Sequence, residues 1–270
     1  MMNMTPVVKQ LIIINILFFI GSQLVKVSYG YLPLFYPESN NFEIWQIFTH
    51  MFMHAQWPNF AHILFNMFAL YSFGSALEHF WGGKKFLFFY ISCGLGAALL
   101  HTGVNYLEIQ SILNAVTNLN LSKSDLHLIL NADYQSLFDA NGKMIPGQIA
   151  TILDKANCTQ EQFNSLVQAS SIVQSPVLGA SGATYGLMTA FAFMFPNAQL
   201  GFMFIPVPVK AKYFVPVILA IDLFFGLKGS SFFASGSTGI AHFAHLGGAL
   251  AGYLMMLYWK KNQFNGNRWN

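Results

Sequence analysis

The sequence predicts an all-α membrane protein, a bundle of six transmembrane helices with a small helical extramembrane insertion between the third and the fourth. Three observations carry this expectation. Only 9% of the 270 residues are charged while 54% are hydrophobic, and a soluble domain needs more charge than that to cover its surface. The mean hydropathy is positive, at +0.47. Six apolar stretches approach the roughly 20 helical residues that span about 30 Å of hydrocarbon.

The first stretch is 8–27 (VKQLIIINILFFIGSQLVKV). It reads as a retained helix rather than a cleaved signal peptide, because no A-x-A-like site follows it. The others run over about 59–79, 84–104, 178–195, 213–229 and 239–259. Lys84 and Lys85 fall between the second and third spans, and Lys210 and Lys212 between the fourth and fifth. Lys260, Lys261 and Arg268 follow the sixth, and Lys9 opens the first. Six crossings put all of these on one side, which the bias of Lys and Arg in short loops makes the cytoplasm. Both termini then face inward, and 28–58, 105–177 and 230–238 face outward. The chain accordingly divides into 1–104 with the first three spans, 105–177 as an extracytoplasmic insertion, and 178–270 with the last three.

The stretch 105–177 is polar and holds six of the ten acidic residues, and it is too long for an ordinary loop. Helix starts are legible within it. Ser122 with Asp125 and Thr159 with Gln162 resemble capping boxes. Apolar residues at helical spacing follow each: Leu126, Ile129 and Leu130, then Phe163, Leu166 and Val167. Pro146 is placed to open a further helix through Ile149 and Ile152. A formal charge of +3 is too small to argue for a nucleic-acid partner. Two cysteines, Cys93 and Cys158, make no disulfide framework. The compartment must come from topology, and a bacterial inner membrane fits the lack of a transit peptide.

Polar groups at membrane depth are costly and ask for a reason. Gly179 to Gly182 (G-A-S-G) open the fourth span just after Pro176. A serine in the first turn of a helix sits among unpaired N–H groups at the positive end of the dipole. Those groups can stabilise the oxyanion that forms when Oγ attacks a carbonyl. Alone, the motif reads more readily as a small-residue packing patch with the serine hydroxyl satisfied in its own helix. The sixth span offers His242 and His245, three apart on one face, with Gly248 and Gly252 following on the side of His245. The fourth span carries Gly182 and Gly186 at the same spacing. Two such faces pack closely and would bring Ser181 and His245 within reach. From Ser181 to Pro196 is about 15 residues, or ~22 Å of helix, so the serine sits below the outer surface. His62 and Asn66 stack on one face of the second span and carry side-chain donors suited to an oxyanion, or to interhelical hydrogen bonds. Tyr185, one turn below Ser181, is placed either to hold the imidazole by ring packing or to fill the core.

Together these residues resemble the rhomboid family of intramembrane serine proteases, across roughly 40–104 and 175–260. The pieces are W-Q-I-F-T-H-M-F-M-H (45–54), H-I-L-F-N (62–66), G-A-S-G-A-T-Y-G (179–186), P-V-P-V-K-A-K (206–212), D-L-F (222–224) and A-H-L-G-G-A-L-A-G (244–252). The resemblance implies a dyad of Ser181 and His245, the histidine being assigned by the glycines three and seven residues after it. It leaves His242 a structural role. It implies oxyanion donors in His62, Asn66 and the N–H of Ser181, and Tyr185 beneath the imidazole, with Gly179, Gly182, Gly248 and Gly252 in support. The chain departs from the family at Gln46, where many members have arginine, and in the insertion, where members have a short connection.

The implied reaction is acyl transfer: His245 takes the proton of Ser181, which attacks a peptide carbonyl, and water then hydrolyses the acyl-enzyme. Neither metal nor nucleotide cofactor is implied, since there is no P-loop and no H-E-x-x-H. His50 and His54 have metal-compatible spacing but lack an evident third ligand. The partners implied are membrane lipid and single-span membrane proteins as substrates, and the oligomeric state is not legible. The segment 229–239 (GSSFFASGSTG) suits a movable cap over the site. Two rivals are a non-cutting relative that binds membrane helices and a transporter built around Asp222. Against the first, both dyad residues are present; against the second, no duplicated broken helices appear.

Overall fold

A computed structural model describes residues 3–202, 205–229 and 241–263. The described chain is predominantly helical. It divides into two units: 1–33, 45–101 and 178–270 form the first, and 34–44 with 102–177 the second.

In the first unit, α1 (Pro6–Leu24) begins with proline in its first turn, where the missing N–H costs nothing. Its free N–H groups are met from another element. Glu78, on α4 (Ser75–Trp81), accepts from the backbone N–H of Val7 and Val8 at 3.0 and 2.8 Å and from the Thr5 hydroxyl at 2.5 Å. A buried carboxylate at the positive end of a helix is a stable arrangement, and it ties α1 to α4.

After the short α2 (Gln46–Thr49), the predicted second span is α3 (Ala61–Ala69), a π turn over Leu70–Gly74, and α4 in one helical run. Gly82, at φ +77°, ends it, a positive-φ conformation that glycine adopts without a Cβ penalty. Next comes α5 (Gly83–Asn114), which runs ten residues past the end of the 84–104 expected. Its later residues Ile109 and Ile112 are buried in the core of the second unit, so packing carries the helix past the point where hydropathy alone would stop it. After α9 (Ser181–Met194), the chain forms a hairpin that sequence reasoning did not foresee, β1 (Gln199–Phe202) and β2 (Ile205–Lys210). The strands pair antiparallel with Gln199 opposite Lys210 and Leu200 opposite Val209. A two-stranded ribbon has only edge strands, which is where Pro206 and Pro208 are tolerated. The unit ends in α10 (Ala211–Gly229) and α11 (His242–Gln263). Its core joins Leu11 of α1, Leu77 of α4, Phe86 and Phe89 of α5, Leu187 of α9 and Met256 of α11.

Large apolar side chains also cover the outside of these helices. Leu24 is 80% exposed, Leu99 77%, and Phe224 and Tyr258 60% and 67%. A water-soluble monomer does not expose apolar surface on this scale. Among the described residues, two helices, Pro6–Leu24 and Gly83–Asn114, are long and apolar enough to cross a membrane.

In the second unit α6 (Lys123–Leu130), α7 (Gln148–Lys155) and α8 (Gln160–Gln174) surround Ile129, Leu153 and Leu166. Ser122 accepts from the N–H of Asp125, and Thr159 with Gln162 forms a reciprocal capping box. Pro146 lies just ahead of α7, whose N-cap is Gly147. Residues 34–44 join this unit through an antiparallel bridge of Leu34 with Val177.

Candidate active site

The site is built on four helices of the first unit, α3, α9, α10 and α11. Its centre is the start of α9. Ser181 is the first helical residue, so its N–H and those of the next residues have no partner within the helix. Gly179, two residues before, has φ +124° and donates its N–H to the His50 carbonyl at 2.9 Å. A Cβ at Gly179 would lie 2.9 Å from His62 Nε2 and 3.5 Å from Ser181 Oγ. Both the backbone conformation and the space therefore demand glycine here.

Opposite α9 runs α11, and the two helices approach through glycines. A side chain at Gly248 would collide with the Gly182 backbone, and one at Gly252 would sit 2.9 Å from the Gly186 carbonyl. This small-residue contact brings His245 Nε2 to 2.9 Å from Ser181 Oγ. The Tyr185 ring stacks on the imidazole of His245, with centroids 4.2 Å apart and planes 14° from parallel.

The other edge of the imidazole meets a residue that sequence reasoning gave no part in the site. Asp222, in the middle of α10, is 5% exposed. Its Oδ1 lies 3.1 Å from His245 Nδ1 and 2.5 Å from His242 Nδ1. His242, expected to be structural, thus shares a carboxylate with His245. The signal was present: an acid in an apolar helix needs a partner, and two histidines three apart on a neighbouring helix are suitable ones. The three side chains could also surround a cation. As they are hydrogen-bonded, both Nδ1 atoms give protons to Oδ1, so a metal would have to displace both.

His62 and Asn66 lie on α3. The Ala55 N–H donates to His62 Nδ1 at 3.1 Å, which fixes the proton of the neutral ring on Nε2, the nitrogen beside Gly179. Asn66 is buried and donates its amide to the His62 carbonyl at 2.7 Å. His50 and His54 do not form a pair: Nδ1 of His50 meets the Gln46 carbonyl, and Nε2 of His54 meets Asn15 Oδ1. Burial pushes both imidazoles down from the ordinary 6.5, His50 to about 4 and His54 to about 3.

Gln46 is fully buried and donates to the Tyr31 carbonyl at 3.2 Å, alongside the Trp45 indole at 3.0 Å. The position where many rhomboids carry arginine therefore still braces the loop, through an amide. The segment expected as a cap, 229–239, lies outside the described residues except for Gly229.

Residues 41–109 and 110–262 match the Rhomboid domain family. The chain is also similar to an uncharacterized mitochondrial rhomboid protein of Schizosaccharomyces pombe, at 26% identity over 179 residues, 64% of this chain. It spans only 40% of the length of that relative. The relative's mitochondrial designation gives no support to a bacterial inner membrane as the host.

Proposed function

The chain belongs to the rhomboid family of integral membrane proteins, whose activity is intramembrane proteolysis, and from that premise we propose that it is a serine endopeptidase working through a Ser181–His245 dyad. The observation that carries the proposal is the 2.9 Å between Ser181 Oγ and His245 Nε2 at the N-terminus of α9. Nucleophile and base are already in hydrogen-bond range there, and unpaired N–H groups stand where an oxyanion would form.

In this reading His245 Nε2 takes the Ser181 proton as Oγ attacks a peptide carbonyl. The oxyanion is received by the Ser181 N–H, by His62 Nε2–H and by Asn66. The proton on Nε2 passes to the leaving amine, and water then repeats the sequence on the acyl-enzyme. Tyr185 keeps the imidazole plane in place. The backbone of the substrate must be opened to be attacked, so the substrates are transmembrane or juxtamembrane segments of single-span membrane proteins. Six crossings serve this site: α1, the run 61–81, α5, α9, α10 and α11, with both termini on the cytoplasmic side.

The test is labelling of the solubilised protein by a fluorophosphonate probe. Wild type should be labelled, and Ser181→Ala and His245→Ala, folded, should not. Labelling that persists in Ser181→Ala, or a folded wild type that stays unlabelled even when 107–172 is trimmed, would overturn the proposal.

A further inference from the structure

Asp222 is the one buried acid of α10, and a carboxylate in an apolar helix is retained only with compensating partners. Here the partners include two imidazoles of α11, both reaching the same oxygen. A structural link between α10 and α11 would be complete with His242 alone, at 2.5 Å. His245 is the additional donor, at 3.1 Å, and its opposite nitrogen faces Ser181 Oγ at 2.9 Å.

We propose that Asp222 is a positioning residue for His245, completing a Ser181–His245–Asp222 line in which His242 anchors the carboxylate. The inference rests on the dyad reading above and adds a third group to it. The physical reason is a limit on what Tyr185 can do. A stacked ring restrains the plane of the imidazole but is indifferent to which nitrogen carries the proton. For His245 to act as base, Nε2 must be the bare nitrogen and Nδ1 the protonated one. An acceptor at Nδ1 imposes that tautomer and also stops rotation of the ring within its own plane. Asp222 Oδ1 is such an acceptor. During acylation the proton moves from Ser181 Oγ to His245 Nε2 while the Oγ–C bond forms, and Asp222 stays ionised opposite the imidazolium. When the C–N bond breaks, the same proton leaves on the amine.

The experiment pairs two readouts on the full chain in detergent or nanodiscs. Side-chain ¹⁵N spectra of histidine, with His245 assigned through His245→Gln, report the tautomer without requiring any activity. Fluorophosphonate inactivation reports function, split into a maximal rate and a half-saturating probe concentration. In wild type His245 should be the Nδ1–H tautomer. In Asp222→Leu, which removes the acceptor and suits an apolar helix, the Nε2–H tautomer should become the major one. The maximal inactivation rate should fall on the order of 10²-fold or more, at a little-changed half-saturating concentration. Asp222→Asn and Asp222→Glu, which retain an acceptor oxygen, should recover part of both. A tautomer unchanged in Asp222→Leu overturns the proposal, whatever happens to the rate. A changed tautomer with a rate within about twofold of wild type overturns it as well. If instead labelling survives Ser181→Ala, the dyad reading is what fails, and the tautomer alone then decides whether Asp222 orients His245.

Discussion

Adding one methyl group at Gly248 should disable the site from a distance. Gly248 lies three residues, about one helical turn, past His245 on α11, and its role is purely steric. A Cβ there would lie 2.6 Å from the Gly182 carbonyl carbon and nearer still to its oxygen, where ordinary contact starts at 3.4 Å. The obstacle is backbone, which cannot rotate away, so α11 must retreat from α9 by at least about 1 Å. His245 rides on α11 and Ser181 on α9, so the 2.9 Å between them opens to ~4 Å, beyond a hydrogen bond. A misplacement of that size costs about 10²-fold in rate, or ~2.7 kcal/mol of barrier. The milder control is Gly252→Ala, whose Cβ would be 2.9 Å from the Gly186 carbonyl oxygen and 3.0 Å from its Cα. A shift of about 0.5 Å relieves it, so its loss should stay under about tenfold. The assay is the second-order rate of fluorophosphonate labelling, with thermal unfolding in the same detergent to confirm the fold. Wild-type labelling by a folded Gly248→Ala, or a larger loss in Gly252→Ala than in Gly248→Ala, would refute the reasoning.

Three other perturbations address different links. Replacing His62 with alanine removes one oxyanion donor, and the maximal rate of labelling or cleavage should fall by about 10²–10³-fold with little change in half-saturation; a loss confined to half-saturation would remove His62 from that role. Glu78→Ala leaves the first turn of α1 without its three-way acceptor, and stability should drop by about 3 kcal/mol, read as a lower Tm, while the protein that remains folded is labelled normally. His54 sits in the loop 28–58, and burial holds it neutral down to about 3 against an ordinary 6.5. The unfolded chain therefore takes up a proton that the folded chain refuses. Stability is full above pH 6.5 and is lost as pH falls from there toward 3, by about 1.4 kcal/mol per pH unit for this group; the slope of Tm against pH should flatten in a His54→Gln variant, and an unchanged slope would show that the group is not held neutral.

Much of the site was legible because chemistry at membrane depth is rare. Ser181, His245, His62, Asn66 and Tyr185 stood out as polar groups in apolar helices, and helical spacing gave each a face. The glycines at 182, 186, 248 and 252 pointed to two helices able to approach closely, and the structure joins those faces. Asp222 was noticed but set apart, because a carboxylate and an imidazole more than twenty residues away have no periodicity in common. The tie from Ala55 to His62 was invisible for a simpler reason: a backbone N–H carries no residue signature. The β1–β2 hairpin was missed since two prolines in six residues argue against a strand unless it is an edge. The extension of α5 to Asn114 reflects burial of Ile109 and Ile112, a tertiary fact.

The sequence by itself determined the solvent of this protein and the inventory of its chemistry. Mean hydropathy and span length are sums over neighbouring residues, and a rare polar side chain in such a span is conspicuous one residue at a time. Only the tertiary structure decided which nitrogen of each histidine faces which partner, that one carboxylate oxygen serves both His242 and His245, and that Glu78 closes the first turn of α1. Those outcomes depend on helix rotation and on separations of an ångström or less, which arise when distant segments pack. Local spacing constrains the face a residue occupies, but not the atom it will meet there.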